Sequence, residues 1–213
     1  MKIPDGIIPI SYDYKKAGKF LREIAMELTH REFLIPQHER AMVFAALVYF
    51  LRDEKAAEAI GLDLNKGLML SGPIGCGKTT LFRIMQKFPK NQASFGIVST
   101  RKVVSEFMQQ GYEILENYSF GQQYNYNRKP IVWCFDDLGA EASSKYFGNN
   151  CNVMAEILLS RYDLFIEKGI PTHLTTNLTA AEIEQVYGNR IRSRMREMFN
   201  LIGYSAKSTD KRL

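Results

Sequence analysis

Apolar and polar positions follow two different patterns along the chain. Up to about residue 60, apolar residues recur at helical spacing, which predicts one helix from Tyr14 to about Phe33 and a second from Gln37 to Ile60. From residue 66 onward, short apolar runs alternate with helical stretches, a pattern typical of an α/β parallel sheet. We therefore predict an N-terminal helical extension (1–65), a candidate partner-binding segment, followed by an α/β domain (66–213).

Five short segments are the predicted strands of this sheet. They lie at 67–70, 95–99, 131–135, 173–176 and 201–204. The third is apolar at every position, as expected of a parallel strand that is buried on both faces. Helices are predicted at 78–88, 101–110 and 152–168, and a further helix begins at Thr179, where Glu182 completes a capping box. Residues 111–130 have no clear period and are predicted to be irregular.

A glycine-rich loop follows the first predicted strand and matches the pattern Gly-x4-Gly-Lys-Thr at 72–79. Its glycines allow successive backbone N–H groups to face phosphates, and the helix that begins at Lys78 adds its positive N-terminal end. Lys78 is predicted to contact the β- and γ-phosphates, and the Thr79 hydroxyl is predicted to bind Mg²⁺. The predicted nucleotide-binding residues are Gly72, Pro73, Ile74, Gly75, Cys76, Gly77, Lys78, Thr79 and Thr80.

Two carboxylates, Asp136 and Asp137, end the third predicted strand. In an open parallel sheet, ligands gather at the carboxyl ends of the strands. Asp136 is therefore predicted to hold Mg²⁺ together with Thr79, and Asp137 to orient or deprotonate an attacking water. Two adjacent carboxylates can instead cap a helix or a turn, but the phosphate-binding loop upstream favours the catalytic interpretation. No Asn/Thr-Lys-x-Asp motif of a GTPase follows the loop, so the predicted nucleotide is ATP.

Three ordered motifs make the chain resemble a known family. They are Asp-Asp-Leu-Gly-Ala-Glu at 136–141, Thr-Thr-Asn-Leu at 175–178 and Arg-Ile-Arg-Ser-Arg-Met at 190–195. Together with the phosphate-binding loop, they are similar to those of the DnaC/IstB branch of AAA+ ATPases, which comprises replicative helicase loaders, their phage counterparts and transposition helper ATPases. The resemblance covers residues 66 to about 204. It implies an AAA+ P-loop NTPase fold, an α/β three-layer sandwich with a five-stranded parallel sheet and, here, no C-terminal lid domain.

The resemblance also implies roles for individual residues. Asn177 matches sensor 1, which helps to place the water, and Arg194 matches the arginine finger, with Arg190 as its companion one helical turn earlier. Such a finger completes the site of a neighbouring subunit, so the resemblance implies self-association and slow ATP hydrolysis by an isolated subunit. The basic residue called sensor 2 has no clear counterpart, and Lys207 and Arg212 are the candidates.

The positive charge is concentrated near the end of the chain. Residues 187–213 contain seven basic and two acidic residues, a net charge of +5, which equals the formal net charge of the whole chain. Such a segment is compatible with nucleic-acid binding and with a solvated helix face. The aromatic, amide-rich stretch at 111–130 is compatible with stacking on single-stranded DNA and with packing anchors. Lys145, Tyr146 and Arg161 are further candidates for a subunit or DNA interface.

Other features of the sequence argue against secretion, membrane insertion and a metal centre. The three cysteines form no CxxC pair and predict free thiols in a reducing cytoplasm. The N-terminus has no apolar signal region, and the longest apolar run, 41–51, is shorter than the roughly 20 residues of a membrane span. The three histidines have no acidic or cysteine partner at ligand spacing, so structural roles are predicted for them.

Three functions are compatible with these motifs. The resemblance favours an ATPase that loads or remodels a replicative hexameric helicase on single-stranded DNA. An IstB-like transposition helper, acting on duplex DNA with a transposase, has the same motifs. A small-molecule kinase is the third, because the loop at 72–78 is similar to that of small nucleotide kinases. Those kinases lack a double-acid strand end and usually carry an arginine-rich lid in mid-chain, whereas the arginines here lie near the end.

Overall fold

The computed structural model describes residues 12–88, 95–120, 130–141, 144–146, 149–205 and 207–211. Its α-helices are α1 (Tyr14–Thr29), α2 (Arg40–Leu51), α3 (Glu54–Ala59), α4 (Lys78–Lys87), α5 (Thr100–Gln110), α6 (Tyr112–Ser119), α7 (Val153–Lys168), α8 (Ala180–Tyr187) and α9 (Asn189–Met198). Its strands are β1 (Gly67–Ser71), β2 (Phe95–Ser99), β3 (Val132–Leu138), β4 (Ser144–Tyr146), β5 (Asn149–Cys151), β6 (His173–Thr176) and β7 (Phe199–Gly203).

Five of these strands form one parallel sheet in the order β2-β3-β6-β1-β7, with helices on both sides. The predicted α/β fold and its five strands are therefore confirmed. β3 continues past the predicted residue 135 to Leu138, so Asp136 and Asp137 belong to the strand itself. β4 and β5 pair with each other as a small antiparallel hairpin that the sequence pattern did not predict. No helical lid follows β7 in the residues that are described.

The described residues fall into two compact units. One contains the described residues of Met1–Leu64, Gly72–Ser94 and Ile202–Leu213, and the other those of Asn65–Ser71 and Phe95–Leu201. The predicted domain boundary at residue 65 remains a prediction. Within the described ranges, no helix is long and apolar enough to cross a membrane.

The first unit packs aromatic side chains of the N-terminal helices against α4. The ring centroids of Phe20 and Phe88 lie 5.5 Å apart, and those of Phe50 and Phe82 lie 6.4 Å apart, both pairs edge to face. Lys87 in the last turn of α4 also pairs with Glu27 of α1 at 3.0 Å. The helix that follows the phosphate-binding loop is therefore anchored by the N-terminal helices.

The single helix predicted from 37 to 60 is wrong. The structure has a 3-10 turn (Gln37–Glu39) followed by α2 and α3, and the chain reverses between these helices at Arg52, whose φ is 55°. The cause is Asp53, which caps α3 because its carboxylate accepts a hydrogen bond from the Ala56 N–H at 3.1 Å. The hydroxyl of Tyr14 donates to the same carboxylate at 2.7 Å and fixes α1 to this corner.

The irregular structure predicted for 111–130 is also wrong in part, because α6 occupies Tyr112–Ser119. Tyr118 is a packing anchor: its ring lies 5.0 Å from that of Trp133, and its hydroxyl donates to Glu106 at 2.8 Å. Tyr112 and Phe120 are exposed. The rest of the aromatic, amide-rich stretch, 121–129, lies outside the described residues.

The first helix ends at Thr29, about four residues before the predicted Phe33, because His30 takes the left-handed conformation. The predicted ends of α7 and the predicted start of α8 agree with the structure. Asn152 caps α7, and Gly169 ends it in the left-handed conformation. Thr179 and Glu182 form the predicted capping box at the start of α8. The main core of the second unit lies between the sheet and α5 to α9, and its largest fully buried side chains include Phe107 and Phe135.

Candidate functional site

The predicted phosphate-binding loop connects β1 to α4. Gly75 and Gly77 have φ values of 78° and 104°, in a region that side chains with a Cβ rarely adopt. Gly77 is the N-cap of α4, so the backbone N–H groups of the first turn of α4 follow directly after it. This strand–loop–helix order is the structural context that a phosphate-binding loop requires. Ile74 is exposed, whereas Thr79 and Thr80 are half-buried.

The side chain of Lys78 turns back onto the loop that precedes it. Its Nζ donates to the carbonyl oxygens of Gly72 and Pro73, both at 2.8 Å, and the residue is only 5% exposed. The same Nζ lies 3.8 Å from Sγ of Cys76. Burial raises the pKa of the Cys76 thiol and the ammonium of Lys78 opposes this rise, so the residue is a buried free thiol. The loop backbone thus holds a cation at its centre.

Asp136 is tied to the neighbouring strand by a side-chain hydrogen bond. The hydroxyl of Thr175 in β6 donates to Oδ1 of Asp136 at 2.7 Å. Thr175 is fully buried and Asp136 is 9% exposed, so this bond is shielded from solvent. Thr175 begins the Thr-Thr-Asn-Leu motif, but within this motif only Asn177 was predicted to have a role in the site. The contact depends on the parallel register of β3 and β6, in which Phe135 pairs with Leu174.

Asp137 lies at an irregularity of β3, where the pairing with β6 shifts between Phe135 and Leu138. Its φ is 60°, a left-handed conformation that aspartate tolerates better than most residues with a side chain. Two threonines hold this conformation. The Asp137 N–H donates to Oγ1 of Thr175 at 2.8 Å, and the Asp137 carbonyl accepts from Oγ1 of Thr100 at 2.9 Å. The left-handed backbone of Asp137 is therefore stabilised by hydrogen bonds at both its N–H and its carbonyl oxygen.

Asn177, the predicted sensor 1, follows β6 directly and is exposed. The hydroxyl of Thr176 shapes the turn because it donates to the Leu138 carbonyl at 2.8 Å and accepts from the Leu178 N–H at 3.0 Å. Because β3 and β6 are adjacent and parallel, the structure places Asp136, Asp137 and Asn177 at the same edge of the sheet.

The two predicted finger arginines lie on α9 in different surroundings. Arg190 is exposed. Arg194 packs on α7 of its own chain, with its guanidinium carbon 4.5 Å from the centroid of the Tyr162 ring and a nitrogen 4.0 Å from Asp163. The Tyr162 hydroxyl donates to Glu197 at 2.9 Å, which fixes the ring on which Arg194 rests. The action of either arginine on a neighbouring subunit remains a prediction.

Arg161 was predicted to lie at an interface, and this prediction is wrong. The residue is fully buried, and its guanidinium donates to Thr172 Oγ1 at 2.9 Å and to the carbonyls of Pro171 and Ile131 at 3.0 and 3.1 Å. Burial lowers the pKa of Arg161 to about 10, so it remains charged at neutral pH. Its role is to hold together the segments that enter β3 and β6. The side chains of the other two interface candidates, Lys145 and Tyr146, lie outside the described part of the chain.

The structural role predicted for the histidines is confirmed for His173. Its Nδ1 accepts a hydrogen bond from the Leu68 N–H at 3.1 Å, which links β6 to β1. Burial, together with the charge of Arg161, lowers the pKa of His173 to about 3, so the side chain is neutral. Among the described residues, no group of three or more His, Cys, Asp or Glu side chains is placed to hold a metal ion.

The candidates for sensor 2 do not take a site position in the described residues. Lys207 is exposed, and Arg212 lies outside the described ranges. Sequence reasoning also missed the residues beside Lys207, because Tyr204, Asp210 and Lys211 contact the glycines of the phosphate-binding loop. No periodic signal marks this segment, and its only hint is its place after the last predicted strand.

No protein-family model matches the chain, and no curated protein is significantly similar to it. Solved structures do match. DnaI is 24% identical with a TM-score of 0.54, over 86% of this chain and 94% of its own. The DnaC helicase loader is 18% identical with a TM-score of 0.53, over 88% of this chain and 99% of its own.

A third match is a candidate primosome component from Streptococcus pyogenes serotype M3. It is 18% identical with a TM-score of 0.56, over 82% of this chain and 83% of its own. These likenesses agree with the resemblance that the sequence motifs predicted. The chain has the AAA+ P-loop NTPase fold found in the DnaC helicase loader and DnaI.

Proposed function

We propose that the chain is a DnaC-like ATPase that binds and hydrolyses ATP in order to load or remodel a replicative DNA helicase on single-stranded DNA. The observation that carries the proposal is the acidic pair at the end of β3. Thr175 forms hydrogen bonds with the carboxylate of Asp136 and with the backbone N–H of Asp137. A chain that only binds phosphate has no need of an oriented acid pair. The same chain carries a complete phosphate-binding loop, and its fold supports the assignment.

The roles of the loop and the acids follow from their chemistry. The backbone N–H groups of 74–80 and the Lys78 ammonium bind the phosphates. The Thr79 hydroxyl and the Asp136 carboxylate would hold Mg²⁺, which prefers such oxygen donors and, when bound, neutralises charge on the β- and γ-phosphates. Asp137 accepts the proton of the attacking water or orients that water, and Asn177 helps to place it. The water oxygen bonds to the γ-phosphorus while the bond from that phosphorus to its bridging oxygen breaks, which releases ADP and inorganic phosphate.

Arg194, with Arg190 beside it, is proposed to complete the site of a neighbouring subunit. Both lie on α9 one turn apart, so both side chains can leave the same helix face. In its own chain Arg194 is stacked on Tyr162, so the finger would have to leave this ring to act on a neighbour. We therefore expect slow hydrolysis by an isolated subunit and faster hydrolysis after self-association.

The proposed partners are a replicative hexameric helicase and single-stranded DNA. DnaC is described as a helicase loader, and its fold is similar to that of this chain. The exposed basic residues of α9, which include Arg190 and Arg196, supply positive charge for a nucleic-acid backbone. Met26 and Leu34, on and after α1, are exposed apolar side chains in the segment proposed to bind a partner protein. The free thiols agree with a cytoplasmic location.

One experiment separates this function from its alternatives. Phosphate release from ATP is measured with single-stranded DNA, with duplex DNA and without DNA, and retention of the chain by the cognate helicase is measured with ATP and with ADP. The proposal predicts release stimulated by single strands and nucleotide-dependent retention, both lost in Lys78→Ala. No retention in either nucleotide state would contradict it. ATP-dependent filaments on duplex DNA would favour a transposition helper, and phosphate transfer to a small acceptor would favour a kinase.

A further inference from the structure

The segment that follows β7 packs on the phosphate-binding loop. We call residues 204–211, without 206, the C-terminal segment. The Lys211 N–H donates to the Gly75 carbonyl at 3.0 Å. A Cβ placed on Gly75 would lie 2.1 Å from Oδ1 of Asp210, and one on Gly72 would lie 2.5 Å from Cβ of Tyr204. At two positions of the loop, a side chain would therefore collide with the C-terminal segment. Glycine suits these positions for that reason, apart from any role in nucleotide binding.

The C-terminal segment brings a second cation to the loop. A Cβ placed on Gly77 would lie 3.8 Å from Nζ of Lys211, and Gly77 is the N-cap of α4. The charge of Lys211 also acts on the Cys76 thiol, whose pKa it lowers, as does the charge of Lys78. Lys78 and Lys211 are thus both close to the part of the loop from which backbone N–H groups bind phosphate.

The ammonium of Lys211 is held in place by a buried carboxylate. Its Nζ pairs with Oε2 of Glu39, and it lies 5.6 and 5.7 Å from the ring centroids of Phe33 and Tyr204. Glu39 is only 2% exposed, so its charge is compensated almost entirely by Lys211. The other oxygen, Oε1, lies 3.9 Å from Nε2 of His38, which is too long for a hydrogen bond.

Polar atoms around Lys211 are buried without partners. Among the described residues, Glu39 Oε1, the Tyr204 hydroxyl and the Ser208 hydroxyl are buried and form no hydrogen bond. Both hydroxyl-bearing residues are 7% exposed, and the Tyr204 hydroxyl lies 3.8 Å from the position of a Cβ on Gly77. Buried polar groups are nearly always hydrogen-bonded. Two of these exceptions, Glu39 Oε1 and the Tyr204 hydroxyl, belong to side chains that contact Lys211, which indicates a place where a polar ligand supplies the partners.

From this geometry we infer that Lys211 is a further nucleotide-binding residue, which contacts the phosphates of a nucleoside triphosphate, and that Glu39 positions it. The inference rests on the proposed function, because it adds to the same ATP site. Glu39 keeps the lysine in place by pairing with it, and the Lys211 ammonium has donors left for a phosphate oxygen. The Tyr204 hydroxyl is a second donor at the same end of the loop. The N-terminal helices and the end of the chain would then both respond to the nucleotide.

A purely structural role for Lys211 makes a different prediction. Lys211→Met leaves the buried charge of Glu39 without its partner, which destabilises the fold and can weaken binding indirectly. The double variant Glu39→Gln/Lys211→Met removes both charges, so that no unpaired charge is buried at this place. If Lys211 only compensates Glu39, the double variant recovers both stability and ATP affinity. If Lys211 contacts the phosphates, stability recovers and affinity does not.

The test measures ATP dissociation constants by calorimetry and melting temperatures for the full chain. The variants are Lys211→Met, Lys211→Arg, the double variant and the matched control Lys207→Met, whose lysine is exposed in the same segment. We expect both variants with methionine at 211 to bind ATP about tenfold more weakly. Lys211→Arg should retain most of the affinity, and Lys207→Met should match the wild type.

Three outcomes keep this inference separate from the proposed function. Wild-type affinity in Lys211→Met would overturn the inference while leaving the ATP site intact. Full recovery of affinity in the double variant would also overturn it, since the effect of Lys211 would then be structural. A wild-type chain that does not bind ATP would instead overturn the proposed function, and the inference with it.

Discussion

The Thr175 hydroxyl donates a hydrogen bond to Oδ1 of Asp136 at 2.7 Å. Oγ1 of Thr175 also accepts a hydrogen bond from the Asp137 N–H at 2.8 Å, so one buried hydroxyl orients two consecutive acidic residues. The Thr175 hydroxyl has one proton, which it shares in the hydrogen bond to Asp136, and the lone pairs of its oxygen accept the hydrogen bond from the Asp137 N–H. β6 therefore acts as the support of the candidate hydrolytic residues on β3.

We predict that Thr175→Val slows ATP hydrolysis by about 10- to 100-fold, because groups that orient a metal-binding carboxylate typically have effects of this size. ATP affinity should change little, since the phosphates are bound by the loop. Steady-state phosphate release and calorimetric ATP binding measure the two quantities separately.

The matched control for this variant is Thr176→Val in the same strand. Thr176 is equally buried, but its hydroxyl donates to the backbone of Leu138 and does not touch a carboxylate. It should lower the melting temperature and, because its hydroxyl shapes only the turn that carries Asn177, slow turnover less than Thr175→Val does at temperatures where the protein is folded. Equal turnover in the two variants would argue against an orienting role for Thr175.

A second prediction separates binding from chemistry. Lys78→Ala should weaken ATP binding by about a hundredfold or more, because it removes a buried cation from the phosphate-binding loop. Asp137→Asn should bind ATP normally and lose turnover, since an amide cannot accept the proton of water. Equilibrium binding and single-turnover hydrolysis distinguish the two effects. Normal turnover in Asp137→Asn would remove this residue from the proposed chemistry.

Arg194→Ala should retain ATP binding and lose turnover by about a thousandfold, the lower end of the range for arginine fingers. Mixing it with Lys78→Ala should restore part of the activity, because the second chain supplies the finger to the intact loop of the first. Arg196→Ala, an exposed arginine on the same helix, is the control and should remain active when hydrolysis is measured without DNA. If no mixing ratio restores hydrolysis, the action of Arg194 in trans is contradicted.

The stability of the fold should fall in mild acid because of His173. Burial, followed by the charge of Arg161, lowers its pKa from 6.5 to about 3. Below pH 6.5 the unfolded chain takes up a proton that the folded chain does not, so stability is full above this pH and decreases as pH falls towards 3. The expected loss between pH 6.5 and pH 5 is about 2 kcal/mol.

Chemical denaturation at several pH values checks this prediction in the wild type and in His173→Gln. The variant should be less stable overall, but the dependence of its unfolding free energy on pH should be shallower. His30→Asn is the control, because His30 is exposed and caps α1 in a left-handed conformation that asparagine accepts. Parallel curves for the wild type and His173→Gln would contradict the assignment.

Arg161→Met should destabilise the chain by about 3 kcal/mol or more, because it leaves Thr172 and several carbonyl oxygens buried without donors. Lys168→Met, an exposed position at the end of the same helix, should have little effect. Urea unfolding measures the difference. A fully stable Arg161→Met with weakened self-association or DNA binding would instead restore the interface role that the structure argues against.

Most of the fold was predictable because its signals are local. The apolar run before Asp136 and the capping box at Thr179 depend only on neighbouring residues, so strand and helix positions followed from them. The errors had local causes as well. The break at Asp53 was hidden because the residues that follow it, 54–59, are also typical of a helix, and α6 was hidden by its aromatic and amide composition.

The sequence by itself determined the phosphate-binding loop, the acid pair and the order of strands and helices, since each depends on residues close together in the chain. Only the tertiary structure decided that Thr175 holds Asp136, that Arg161 is buried and that Lys211 lies beside Gly77. These contacts join residues far apart in the chain, and they depend on strand register and on the return of the C-terminal segment. No period or motif in a single sequence carries that information.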